Sequence, residues 1–339
     1  MKTFRFILLI IVISIIIFII FSGANCANKN EINITNGISF DKNRAFSYLE
    51  YQVEAGYRIP GTKTHIEIKD WIVSTLEEAG ADSVTTQDFI HISLSDGSEV
   101  PMYNIIADFS ASSNAGNAKN ILIGAHWDTR PRSEKDLREE SREKPLSGAN
   151  DGASGVAVLL ELANQLSSLE FPCNVRLIFF DGEDYGYAAD HGQEKVPFEQ
   201  LDEGEMFLGS KYFAVNCGKD IPDFAIIVDM VGKKGLCVYR EPYSEEKAKE
   251  VNDKVFLSAK KIGYMDIEEP DDPRFVNRVS RVAIVDDHIP LLKVGIPSIC
   301  IIDFDYFQWH TQADTVETCS PDSLDMVGKV LIEVIQNGG

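Results

Sequence analysis

The octapeptide GAHWDTRP, residues 124–131, sets His126 and Asp128 two positions apart just after the apolar run NILI. Alternate residues of an extended chain point the same way, so an imidazole and a carboxylate would face one side there. Metal sites and catalytic pairs are built like this. A plain turn accounts for the same residues, since Asp and Thr favour turns and Pro131 stops whatever precedes it. Other stretches bear on the choice. NVRLIFF (174–180) runs into DGED, which carries Asp181, Glu183 and Asp184. DFAIIVD (223–229) ends in Asp229, and PSICII (297–302) leads to QWHT with His310. SGANDGASG (147–155) sets Asn150 and Asp151 before a helix whose first turn is made of small residues. Small residues let a helix start lie close against a sheet and whatever sits above it.

His126, Asp151, Asp184, Asp229 and His310 thus sit where one cleft would gather them. Imidazole and carboxylate without thiolate is a donor set that a catalytic zinc accepts, with a position left open for substrate. Taken singly, each has a bland account. A strand-end Asp commonly caps the next helix, Asp151 included, and an isolated His is more often core or surface than ligand. All five at equivalent strand ends favour the metal. His65 on a helix, His91 in a hairpin and His191 in an insertion are read as structural. No GxSxG elbow is present; DGASG resembles part of one but opens a helix with no strand directly before it. HExxH and GxxxxGK[ST] are absent.

These residues need a scaffold. Apolar residues at helical spacing predict helices over about 41–57 and 64–79, separated by the break RIPGT. MYNIIADF (102–109) reads as a strand. Apolar strands at 120–125, 174–180, 223–229 and 297–302 then alternate with helical stretches at about 152–168, 206–216, 244–262, 288–294 and 322–336. Continuous apolar strands between helices predict an α/β fold: a three-layer α/β/α sandwich around a central, mostly parallel, twisted sheet. In such sheets sites form beyond the carboxyl ends of the strands. A charged loop at about 132–147 and a longer one at about 185–205 interrupt the rhythm. No internal repeat and no second-domain boundary is evident, so 41–339 reads as a single catalytic domain.

At 339 residues and 44% hydrophobic content the chain is globular. Its net charge of −21 repels phosphate backbones, which excludes nucleic acid as a partner. Residues 1–26 carry Lys2 and Arg5, an apolar run from Phe6 to Phe21, then small residues and Cys26, a secretory signal pattern. Cleavage after Ala24, lipidation of Cys26 and an uncleaved anchor are three outcomes, and all place the domain outside the cytoplasm. Contact with a membrane would come only through that segment. Residues 27–40 read as a polar tether. Beyond Cys26 there remain Cys173, Cys217, Cys237, Cys300 and Cys319, an odd number, so at least one is unpaired or joined to another chain. No CxxC occurs, which removes thiolate zinc fingers and thioredoxin-like redox chemistry.

GAHWDTRP, SGANDGASGVAVLLELA, VRLIFFDGEDYG, IVDMVG, VDDHIP and WHTQADT together resemble the glutaminyl-peptide cyclotransferases of the zinc-aminopeptidase superfamily. The resemblance spans roughly residues 41–337 and keeps the family's order. It implies a zinc-aminopeptidase-like sandwich and cyclisation of N-terminal glutamine in peptides and proteins to pyroglutamate, with release of ammonia. It also implies one zinc, held by Asp151, Asp184 and His310. Trp309 would pack on the substrate, and Asp286 matches a carboxylate near the reacting centre. Glu183 is the candidate general base and then acid, with Asp229 and Asp286 holding its proton network. The chain departs from the animal enzymes in having Glu183-Asp184 where they carry Glu-Glu. In the related aminopeptidases two zinc ions share five ligands, Asp151 bridging, with His126 and Asp229 on the second metal. A dizinc aminopeptidase is therefore an alternative, and a non-catalytic binding protein on the same scaffold is another.

Overall fold

The computed structural model describes residues 38–112, 118–187, 196–201, 204–218, 221–265 and 271–339. The expected signal (1–26), residues 27–37 of the expected tether and His191 lie outside them. Gly37–Gly339 forms one unit by its internal contacts.

The central sheet has the order β1-β2-β4-β3-β5-β8. Its strands are β1 (Ser83–Ile92), β2 (Glu99–Phe109), β3 (Asn120–His126), β4 (Asn174–Phe180), β5 (Phe224–Val228) and β8 (Ser298–Ile301). β4, β3, β5 and β8 pair in parallel, whereas β2 is antiparallel to both β1 and β4. β2 therefore runs alone against the rest. The connection from β1 is too short for a crossover, which needs a dozen or more residues, so those two strands close as a hairpin.

Both faces of the parallel strands are buried, and the pleat sorts their side chains between two cores. Ile121, Ile123, Ala125, Val175, Leu177, Phe179, Ile226, Val228, Ile299 and Ile301 face one. Leu122, Ile178, Phe180, Ala225, Ile227, Cys300 and Ile302 face the other. This period of two, apolar on both sides, is why the strands read as unbroken apolar runs. Over the first face lie α1 (Lys42–Ala55), α3 (Ala153–Leu166) and α8 (Pro321–Gln336), mutually packed, with α6 (Lys249–Lys261) against α8. Over the second lie α4 (Leu208–Asn216) and α7 (His288–Lys293). α2 (Lys63–Glu78) packs on β1, β2 and α3.

Two details differ from the sequence reading. The helix expected over 244–262 is two helices, α5 (Pro242–Lys247) and α6, joined at Ala248 with φ −138° and ψ 40°. They serve different neighbours: Ser244 Oγ accepts the Cys300 N–H at 3.1 Å, tying α5 to β8, while α6 packs on α8. α5 also starts earlier than expected, because the Glu241 carboxylate caps it and Pro242 opens it. A short parallel pair, β6 (Cys237–Arg240) with β7 (Arg274–Val279), was not read from the sequence. β7 buries little beyond Phe275 and carries no apolar run to reveal it.

Candidate functional site

The four parallel strands end on one edge, and the candidate residues collect beyond it. His126 closes β3; Glu183 and Asp184 follow β4; Asp229 follows β5; the chain after β8 travels on to His310. Asp151 arrives on the turn before α3. This turn comes close because it is built of small residues. A Cβ on Gly155 would lie 2.3 Å from the Val228 carbonyl oxygen and 2.9 Å from the Ala125 Cβ. Gly152, at φ +98°, faces the His126 ring, 2.9 Å from where its Cβ would stand. Only glycine fits there without strain.

Two groups of ligand-type side chains result, and they share Asp151. His126, Asp151 and Asp229 offer donor atoms within 4.8 Å of one another, as do Asp151, Asp184 and His310. On the first side, His126 Nε2 lies 3.1 Å from Asp151 Oδ1 and 3.2 Å from Asp229 Oδ1. On the second, His310 Nε2 lies 3.2 Å from Asp184 Oδ1 and 3.6 Å from Asp151 Oδ2. All five residues are buried. Among the described residues, Asp151 Oδ2 and Asp184 Oδ2 are buried and accept no hydrogen bond. Buried carboxylate oxygens are costly to leave unpaired unless they coordinate a cation, so this donor set fits a divalent metal with N and O preference.

Electrostatics separate two adjacent carboxylates. Burial alone would raise Asp184, but His310 and Arg130 outweigh it and hold its carboxyl well below the ordinary range. Burial lifts Glu183 well above the usual carboxylate value, with Asp184, Asp286 and Asp287 adding to the rise and His126 opposing it. Asp286 is pushed up to about 6 by burial and by Asp229. The His310 imidazole resists its burial and is held up to about 9 by Asp184 and Glu134. Asp184 is thus ready to ligate, and Glu183 holds a proton more readily than an ordinary carboxylate does.

Trp309 is half-buried and stacks on the His310 ring, centroids 3.9 Å apart, with Phe304 behind it at 4.8 Å. His310 itself adopts φ +55°, as Met230 beside Asp229 adopts φ +48°. Non-glycine residues in this region are uncommon, and such backbone clusters at functional sites. Asp286 sits in the loop before α7. Its Oδ1 accepts the Asp287 N–H at 2.5 Å, and its Oδ2 faces the Cys300 thiol at 3.3 Å.

The sequence singled out Asp128 as a partner for His126, whereas Asp314 and Arg58 went unread. Asp128 accepts the backbone N–H groups of both Glu183 and Asp184 at 3.1 Å, fixing that turn. Asp314 does the same for Asn150 and Asp151, at 2.9 and 3.1 Å, and is held by the Tyr306 hydroxyl. Fully buried Arg58 binds the carbonyls of Trp127, Ser147 and Gly148. Asp314 stands inside the quoted motif WHTQADT, which was the available signal; Arg58 had none beyond the break RIPGT. His65 is buried on α2, 2.9 Å from both Asp181 oxygens and stacked on Trp127. His91 pairs with Glu205 at 2.6 Å. Neither touches the cluster.

A family model described as peptidase family M28 matches residues 104–335. Among solved structures, a glutaminyl cyclase of Bacteroides thetaiotaomicron bound to N-acetylhistamine is 33% identical with a TM-score of 0.76, covering 88% of this chain and 98% of that one. A leucine aminopeptidase precursor from the same species is 34% identical with a TM-score of 0.77 and the same two coverages. Among curated relatives, the glutaminyl-peptide cyclotransferase of Boiga dendrophila is 22% identical over 302 residues, covering 81% of this chain and 75% of that protein.

Proposed function

The chain belongs to peptidase family M28, and on that footing we propose that it is a glutaminyl-peptide cyclotransferase. It closes the N-terminal glutamine of peptides and proteins to pyroglutamate and releases ammonia, using one zinc held by Asp151, Asp184 and His310. The observation that carries the reading is where the unpaired oxygens lie. On the His126 side, Nε2 already bridges Asp151 Oδ1 and Asp229 Oδ1. Among the carboxylate oxygens of the five candidate ligands, the orphaned buried ones, Asp151 Oδ2 and Asp184 Oδ2, belong to the His310 side. That favours a single ion there, against the dinuclear use of all five ligands.

Bound zinc supplies Lewis acidity at the γ-carbonyl oxygen. The remaining chemistry belongs to the chain. Trp309, braced by Phe304, walls the pocket and folds the glutamine side chain back on its own amine, so that attack is intramolecular. The α-amine nitrogen bonds to the carbonyl carbon of the side-chain amide (Cδ), Glu183 takes the amine proton, and the same proton goes to the departing amide nitrogen as that carbon's bond to it breaks. Asp286 and Asp229 hold Glu183's proton network; the raised Glu183 and Asp286 values support this. The animal enzymes' Glu is replaced by Asp184, whose shorter arm is met by Arg130 at 2.8 Å.

Residues 41–339 act as one catalytic domain. Residues 1–26 direct export, and any hold on a membrane comes from that segment or a lipid on Cys26. Among the described residues no helix is long and apolar enough to cross a membrane. Nucleic acid is not a partner of a chain carrying −21 net charge. Elemental analysis of protein purified without added metal should find close to one zinc per chain, with ammonia release from a Gln peptide lost on chelation and restored by zinc. Two tightly held ions, both required for activity, would favour the dizinc aminopeptidase that one structural relative's name suggests.

A further inference from the structure

We propose that Glu134 is a positioning residue of the zinc site, fixing His310 through Nδ1 and tying it through Arg130 to Asp184. The inference rests on the assignment of Asp184 and His310 as ligands. In the sequence, residues 132–147 counted only as a charged insertion. In the fold they strap down the turn that carries His310. The Lys135 N–H donates to the His310 carbonyl at 3.1 Å. Gln312 donates its backbone N–H to Asp136 at 3.1 Å and its side-chain amide to Ser133 Oγ at 2.6 Å and the Pro145 carbonyl at 2.7 Å.

Within that strap, Glu134 Oε1 meets His310 Nδ1 at 2.8 Å. Arg130 Nε donates to both Glu134 oxygens at 2.9 Å, and its Nη1 donates to Asp184 Oδ1 at 2.8 Å and to the Asp184 carbonyl at 3.0 Å. With His310 Nε2 at 3.2 Å from Asp184 Oδ1, the four side chains form a closed ring.

The ring has a chemical consequence. A carboxylate paired to a guanidinium only accepts, so Nδ1 carries a hydrogen, and Nε2, which faces Asp151 and Asp184, is the nitrogen that would exchange its proton for a metal. Imidazoles that bind metals are oriented this way, by a carboxylate on the other nitrogen. The brace is needed more than usual here. His310 lies in an irregular turn at positive φ, with no helix or strand to hold it.

The test is zinc affinity, measured on chelator-stripped protein by competition with a chromophoric chelator. The thermal midpoint of the stripped protein is read alongside, for wild type, Glu134→Ala, Glu134→Gln and His310→Ala. Glu134→Ala should bind zinc on the order of 10- to 100-fold more weakly, with its stripped midpoint unchanged. Glu134→Gln keeps an oxygen that accepts from Nδ1 and should recover much of the loss. Wild-type affinity in Glu134→Ala overturns the proposal. So does a loss that tracks a fall in the stripped protein's own stability and is not recovered in Glu134→Gln, for then Glu134 is merely structural. Wild-type affinity in His310→Ala would instead remove the ligand assignment beneath it, and the two failures are read on different variants.

Discussion

Glu183 and Asp184 are neighbours in the chain with opposite electrostatic fates. One is driven up by burial among Asp184, Asp286 and Asp287; the other is held down by His310 and Arg130. Their variants should therefore fail differently. Glu183→Gln is expected to keep zinc and fold while losing roughly 10²- to 10⁴-fold in turnover, the usual contribution of a placed acid–base group. Asp184→Ala should lose the zinc itself. Metal analysis beside steady-state kinetics separates the two; metal lost from Glu183→Gln and retained by Asp184→Ala would reverse the roles. At this scale the sequence was partly legible. His126, Asp151, Asp184, Asp229 and His310 could be picked out because strand ends in such a sheet share one edge. Their partners could not. Glu134 reaches His310 across 176 residues, and Asp314 reaches Asp151 across 163. No periodicity links a loop to a loop.

The parallel strands and their helices were legible for a physical reason: strands buried on both faces must be apolar throughout. β6 and β7 lacked that constraint and went unread. The element that matters most to the site is the start of α3, and Gly155 tests it. Its Cβ would stand 2.3 Å from the Val228 carbonyl oxygen at the end of β5. Alanine would gain about 1 kcal/mol of helix propensity over glycine, but overpacking against backbone costs about 1–3 kcal/mol or more. We expect packing to win. Gly155→Ala should lower the urea midpoint and weaken zinc binding, because Asp151 rides on the same turn. A raised midpoint with zinc affinity intact would mean that α3 is free to shift, and that its close approach does not position the ligand.

For the molecule as a whole, the scaffold, the metal site and the acid–base glutamate would serve a cyclase or an aminopeptidase equally. Composition and fold therefore do not choose between them, and relatives of both names share the architecture. What distinguishes them is where the substrate's carbonyl must lie. On the proposed reading, Trp309, stacked on His310, would wall a pocket suited to a side chain curled back onto its amine. An aminopeptidase needs the scissile peptide carbonyl at the metal. The most direct measurement gives the purified zinc-loaded protein two peptides, one beginning with Gln and one with Leu, and identifies every product by mass spectrometry with a parallel ammonia assay. The account predicts ammonia and an N-terminal pyroglutamate from the Gln peptide, every peptide bond intact, and the Leu peptide untouched. Free Leu or free Gln without ammonia, abolished by chelator, would contradict it.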